Sequence, residues 1–185
     1  MKKIITLTTC LLLFCNCFFL SSLRAQAVSA EELKTQMVTD WERAKAYTVD
    51  YLNTMPADKY SFKAVDSLRS FAQQMLHLAQ GNLFLMSNAS DQAPPAYIKS
   101  DIEHSATAQK KDSVMYYVTS SYDYCIGAVK SSDVSKWGEK KKIFGMDATR
   151  LALMMKTFEH QTHHRGQTTI YIRLNGIKPP QERLF

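Results

Sequence analysis

Apolar residues recur at spacings of three and four along four stretches of the chain, the period of amphipathic helices. No run alternates convincingly at the period of two that a half-buried strand requires. Leu33, Met37, Trp41, Ala44, Thr48, Tyr51 and Met55 make the first stripe. Ser29 and Glu32 stand before it in the spacing of a capping box, which satisfies orphan N–H groups at a helix start. Pro56 then stops the helix.

A second helix is expected from about residue 65 to 87, with Leu68, Phe71, Ala72, Met75, Leu76, Ala79, Leu83 and Met86 on its core face. Leu78, Phe84 and Leu85 make its second half apolar nearly all round, so that half should be deeply buried. Residues 88–97, with Pro94-Pro95, read as a loop. Residues 99–111 are polar and fit either a short helix or a long connection. The third helix is expected over 112–130, with Val114, Tyr117, Val118, Ser121, Cys125, Ala128 and Val129 facing in. Residues 136–146 read as a solvated basic loop holding Trp137 and Lys140 to Lys142. Asp147 is placed to cap a fourth helix over 148–174, whose end Asn175-Gly176 and Pro179-Pro180 mark. Four long helices with connections between them predict an all-α four-helix bundle.

The segment before the first stripe belongs to a different class. Met1-Lys2-Lys3 is basic, residues 4–20 are almost wholly apolar, and Ala25-Gln26-Ala27 supplies a small-residue site. This order is that of a secretory signal over 1–27, leaving a domain over 28–185 and an exported, periplasmic or extracellular, product. A retained anchor helix is the alternative, because the run approaches membrane-spanning length. Lipidation at Cys15 or Cys17 fits poorly, since Phe14 and Asn16 stand where a small residue is expected.

Removing 1–27 takes Lys2, Lys3 and Arg24 and no acid, so the formal charge falls from +6 to +3. That is no footprint for nucleic acid. It also leaves Cys125 alone, so no internal disulfide can form. Cys125 sits between Tyr124 and Ile126 and reads as a small buried hydrophobe.

Candidate chemistry concentrates in Glu159-His160-Gln161-Thr162-His163-His164-Arg165-Gly166-Gln167. His160 and His164 stack on one helical face, where two imidazole lone pairs can clasp a divalent ion at about 2 Å. His163, about 100° from His164 around the axis, can replace it. Gln161 stands where a zinc peptidase needs glutamate, which disfavours proteolysis. Gln167 and Tyr171 continue the His160 stripe as site-facing or packing groups. Leu151, Met155, Phe158, Thr162, Thr169 and Ile172 form a second stripe for packing, and Arg165 reads as a structural ion-pair partner. A further ligand must come from another helix. His77 lies among aliphatic residues and needs a partner or a metal to be buried. Periodicity alone does not aim it at the fourth helix, and His104 lies in the ambiguous polar segment.

Two segments resemble the DinB-like family. One runs from Glu159 through Gln167 to Tyr171, Arg173, Gly176 and Pro179-Pro180; the other is Ser70-Phe71-Ala72-Gln73-Gln74-Met75-Leu76-His77-Leu78-Ala79. The resemblance implies a four-helix bundle binding one divalent metal, zinc or nickel, through His77, His160 and His164, with His163 not a ligand. It also implies thiol-dependent transferase or hydrolase chemistry at an open three-histidine site. A dimer is common among relatives, although no stripe in the sequence marks an interface. An export signal argues against a thiol transferase, because small thiols are chiefly cytosolic. A metal-binding or interaction module without turnover is therefore the competing expectation. Neither the substrate nor any catalytic group is specified.

Overall fold

The computed structural model describes residues 27–185; residues 1–26 of the expected signal segment, with Cys10, Cys15 and Cys17, lie outside the described residues. Four helices carry the structure: α1 (Ala30–Thr54), α2 (Phe71–Ala89), α3 (Lys111–Ser131) and α4 (Arg150–Leu174). α2 packs on α4 and α3, and α1 packs on α3 and α4. No described helix is long and apolar enough to cross a membrane.

α1 follows the sequence closely. The Ser29 hydroxyl accepts from the Glu32 N–H at 3.1 Å, and the Glu32 carboxylate accepts from the Ser29 N–H at 2.8 Å. This is the reciprocal capping box. Trp41, Ala44, Thr48, Tyr51 and Met55 are buried on the expected stripe, and the helix ends just before Pro56.

α2 begins later than expected. Its cap is Ser70, in a second capping box with Gln73, while the Phe71 and Ala72 N–H groups donate to the Phe62 and Tyr60 carbonyls. Once those donors are satisfied, residues 65–70 have no reason to continue the helix. Leu68 and Val65 are consequently exposed. Phe84, expected deep, is also exposed and lies beside Phe144, ring centroids 5.6 Å apart.

The expected basic loop contains regular structure. β1 (Lys140–Ile143) pairs antiparallel with β2 (Met146–Thr149). Phe144 (φ 51) and Gly145 (φ 78) form the two-residue turn, whose positive φ values suit the strand twist. Three lysines in a row hide this hairpin from hydropathy. Trp137 at its base is buried, its indole N–H donating to Ser132 Oγ at 3.1 Å.

Asp147 does not cap α4, because it lies in β2 opposite Lys142. Thr149 is the cap, accepting from the Ala152 N–H at 3.1 Å. The Glu139 and Trp137 carbonyls take the Arg150 and Leu151 donors. Arg150 then bridges Asp91 (2.9 Å) and Glu139 (2.8 Å), tying the hairpin base to the loop after α2. At the far end Gly176 (φ 72) allows a Schellman closure, Ile177 N–H to Ile172 O and Gly176 N–H to Arg173 O.

The packing face of α4 differs from the expected stripe. Leu153, Met154, Thr157, Gln161, Arg165, Thr168 and Ile172 are buried, whereas Met155 and Thr162 are exposed. Thr157 and Thr168 donate back to the Leu153 and Arg165 carbonyls, so burial leaves their hydroxyls satisfied. Arg165 makes no ion pair among the described residues. Its guanidinium lies 4.7 Å from the Tyr47 ring centroid and donates to Gln161 Oε1 at 2.9 Å, the same oxygen that accepts from Tyr122 OH at 2.7 Å. Cys125 is fully buried on α3, and burial pushes its thiol well above the usual range.

Candidate metal centre

His77 comes from α2, and His160 and His164 come from successive turns of α4. Ring centroids lie 4.3 Å apart for His160 and His164, 4.5 Å for His77 and His164, and 5.4 Å for His77 and His160. One ring nitrogen from each lies within 4.8 Å of the other two. Tetrahedral ligation with bonds of about 2 Å places ligand nitrogens roughly 3.3 Å apart.

The electrostatics favour lone pairs over protons. Burial, then the neighbouring His77, His163 and Arg69, lowers His160 to about 4. Burial, then His160, His77, His163 and Arg69, lowers His164 to about 3. Both rings are therefore neutral at pH 7, as a metal ligand must be. Nδ1 of His160 and Nδ1 of His164 are also buried without a hydrogen-bond partner among the described residues. Buried polar atoms left in that state ask for a partner. Imidazole nitrogens suit borderline divalent ions.

His77 is held differently. Its Nδ1 lies 3.0 Å from Glu103 Oε2, and Glu103 Oε1 accepts from Arg69 Nε at 2.6 Å. A carboxylate at Nδ1 favours the tautomer with the proton there, leaving the Nε2 lone pair free. Glu103 is buried, and its carbonyl accepts from Gln109 Nε2. It lies in the connection that the sequence left open, where nothing local marks it.

The other candidates fall outside the cluster. His163 is exposed and hydrogen-bonded to Gln167, and His104 is exposed and hydrogen-bonded to Asp101. Glu159 pairs with Lys156 on the outer face of α4. Tyr171 is buried and donates to the Arg69 carbonyl at 2.8 Å. A cleft of about 890 Å³ opens beside His164, walled by Leu68, Arg69, Gln73, Gln74, Gln167 and Tyr171. This volume is within the range of small-molecule sites. A smaller cleft of about 570 Å³, beside Arg150 and Trp137, contains none of the clustered histidines.

Among solved structures, the chain is similar to a DinB-like protein from Bacillus cereus, with a TM-score of 0.69 and 16% identity. That likeness covers 80% of this chain and 95% of the other. A DinB-like protein from Bacillus subtilis is similar at a TM-score of 0.56 and 15% identity, covering 81% and 96%. At such identities the likeness speaks for the fold alone. No curated protein matches the chain. The model of the DinB family matches residues 27–183, nearly all that the structure describes. The chain belongs to the DinB family.

Proposed function

We propose that this chain binds one divalent metal ion, zinc or nickel, through His77, His160 and His164, and that it is a metal-dependent enzyme of the thiol S-transferase or hydrolase class. The observation that carries this reading is the meeting of three ring nitrogens within 4.8 Å. Two of those rings are held neutral by their surroundings. Three protein ligands leave coordination positions for water or substrate. A bound ion would lower the pKa of a water or thiol at that position.

The chain's own residues supply the rest. Glu103 fixes the His77 tautomer and ring plane. Arg69 holds that carboxylate in place. The cleft beside His164 gives a small molecule access from one side.

A second reading is an exported metal-binding or interaction module without turnover. The apolar segment and Ala25-Gln26-Ala27 favour it, because export would separate the protein from cytosolic thiols. Elemental analysis of purified residues 28–185 tests the metal. Stoichiometric zinc or nickel, lost in His77→Ala and in His160→Ala, is expected; unchanged content in those variants sinks the proposal. Thiol-conjugation, esterase and amidase screens then separate the enzyme from the module.

A further inference from the structure

Gly81 follows His77 by one helical turn on α2, so the two positions share a face. A Cβ built at Gly81 would lie 2.0 Å from Cε1 of His160, 2.5 Å from its Nδ1 and 2.9 Å from its Nε2. All three of the nearest atoms belong to that one imidazole. A Cβ at this site would occupy the space in which the His160 ring sits.

The other described glycines show how particular this is. Gly166, also inside a helix, has nothing within 4 Å of an added Cβ, and Gly127 meets only Gln92 at 3.5 Å. Glycine is a poor residue for a helix interior, so the absence of a side chain at position 81 calls for a local reason. His160 provides one. Its nitrogens come near His77 only because its ring passes over bare α2 backbone.

We propose that Gly81 is a positioning residue of the three-histidine centre: it admits the His160 ring into contact with α2 and thereby sets the distance between the ligands of the two helices. The functional half of this inference rests on the metal-binding reading above. The steric half does not depend on it. An alanine at position 81 is accommodated by swinging the His160 ring away, since that ring is the mobile end of a side chain. The helix is kept and the ligand geometry is lost.

The test uses residues 28–185 and the variants Gly81→Ala, Gly166→Ala, His160→Ala and Gly81→Ala/His160→Ala. Zinc titration against a chelating competitor should show Gly81→Ala weakened at least about tenfold, the range typical of lost outer-sphere support. Gly166→Ala should stay within about twofold of the parent, as an isolated surface change does. Melting temperatures of the metal-free proteins give the second readout. The Tm change caused by Gly81→Ala should be less favourable in the parent than in the His160→Ala background, where the clashing ring is gone and only the helix propensity of alanine acts. That cycle stands even if Gly81→Ala alone folds poorly.

Equal changes of Tm in both backgrounds, whether losses or gains, would overturn the inference. So would an unweakened zinc affinity in Gly81→Ala. If the parent binds no zinc or nickel, the metal reading falls while the Tm cycle still decides the steric role of Gly81.

Discussion

Glu103 and His77 meet at 3.0 Å between a buried carboxylate oxygen and Nδ1, although they lie on different segments of the chain. The same carboxylate accepts from Arg69 Nε, so it is held from both sides. Glu103→Ala frees the His77 ring to rotate and removes the preference for one tautomer. Zinc affinity should fall by about 10–100-fold, as for other outer-sphere partners of ligating histidines. A competition titration that finds the parent affinity in this variant would show that His77 needs no such support.

The depressed histidines also set a pH dependence for the metal-free protein. His160 and His164 titrate near 6.5 when unfolded, and near 4 and 3 in the folded state. Below pH 6.5 the unfolded chain therefore binds more protons, and stability is lost as pH falls through that window. Above it both states carry neutral rings, and these groups contribute no slope. Urea unfolding of the parent between pH 7 and 4 should fall more steeply than that of His160→Ala/His164→Ala. Parallel curves would mean that neither ring is shielded.

Gln161 serves two buried donors at once, Tyr122 OH and Arg165 Nη1. Gln161→Leu keeps the volume and leaves both to the Thr48 hydroxyl, which lies 2.7 Å from Tyr122 OH and 3.4 Å from Arg165 Nη1. A loss of about 1–2 kcal/mol is expected, the cost of removing hydrogen bonds whose donors keep one shared, partly satisfying partner. Denaturant melts measure it, and a change below about 0.5 kcal/mol, the scale of an ordinary surface substitution, would show that the network relaxes around the gap.

Cys125 should be inert in the native protein. Its sulfur is buried beside the Asn82 carbonyl, and burial suppresses the thiolate that an electrophile needs. A disulfide-exchange reagent should label it only after denaturant is added. Stoichiometric labelling under native conditions would place the thiol at the surface.

The sequence carried the local signals and missed the distant ones. Ser29 with Glu32 marked the start of α1, and Asn175-Gly176 marked the end of α4, because each is set by residues within a turn. His160 and His164 were legible as a pair for the same reason. The place of His77 was not legible from its own periodicity. Its ring sits at the edge of the buried face of α2, and that edge meets α4 only through helix packing. Ser70 displaced the expected start of α2 because a capping box outweighs an apolar residue such as Leu68 outside it. Thr149 displaced Asp147 because the hairpin carries the chain two residues further before α4 can begin. Glu103 and Gly81 gave no signal, since their roles depend on partners 26 and 79 positions away.

His77 and His160 stand 83 positions apart in the chain, and α3 and the hairpin lie between them. The His160–His164 pair exists as soon as α4 is helical, whereas the third imidazole arrives only when that whole span has closed. A collapsed state that keeps its helices but loses their docking would present two nitrogens where the native protein presents three. The completeness of the histidine cluster thus reports that α2 and α4 have docked.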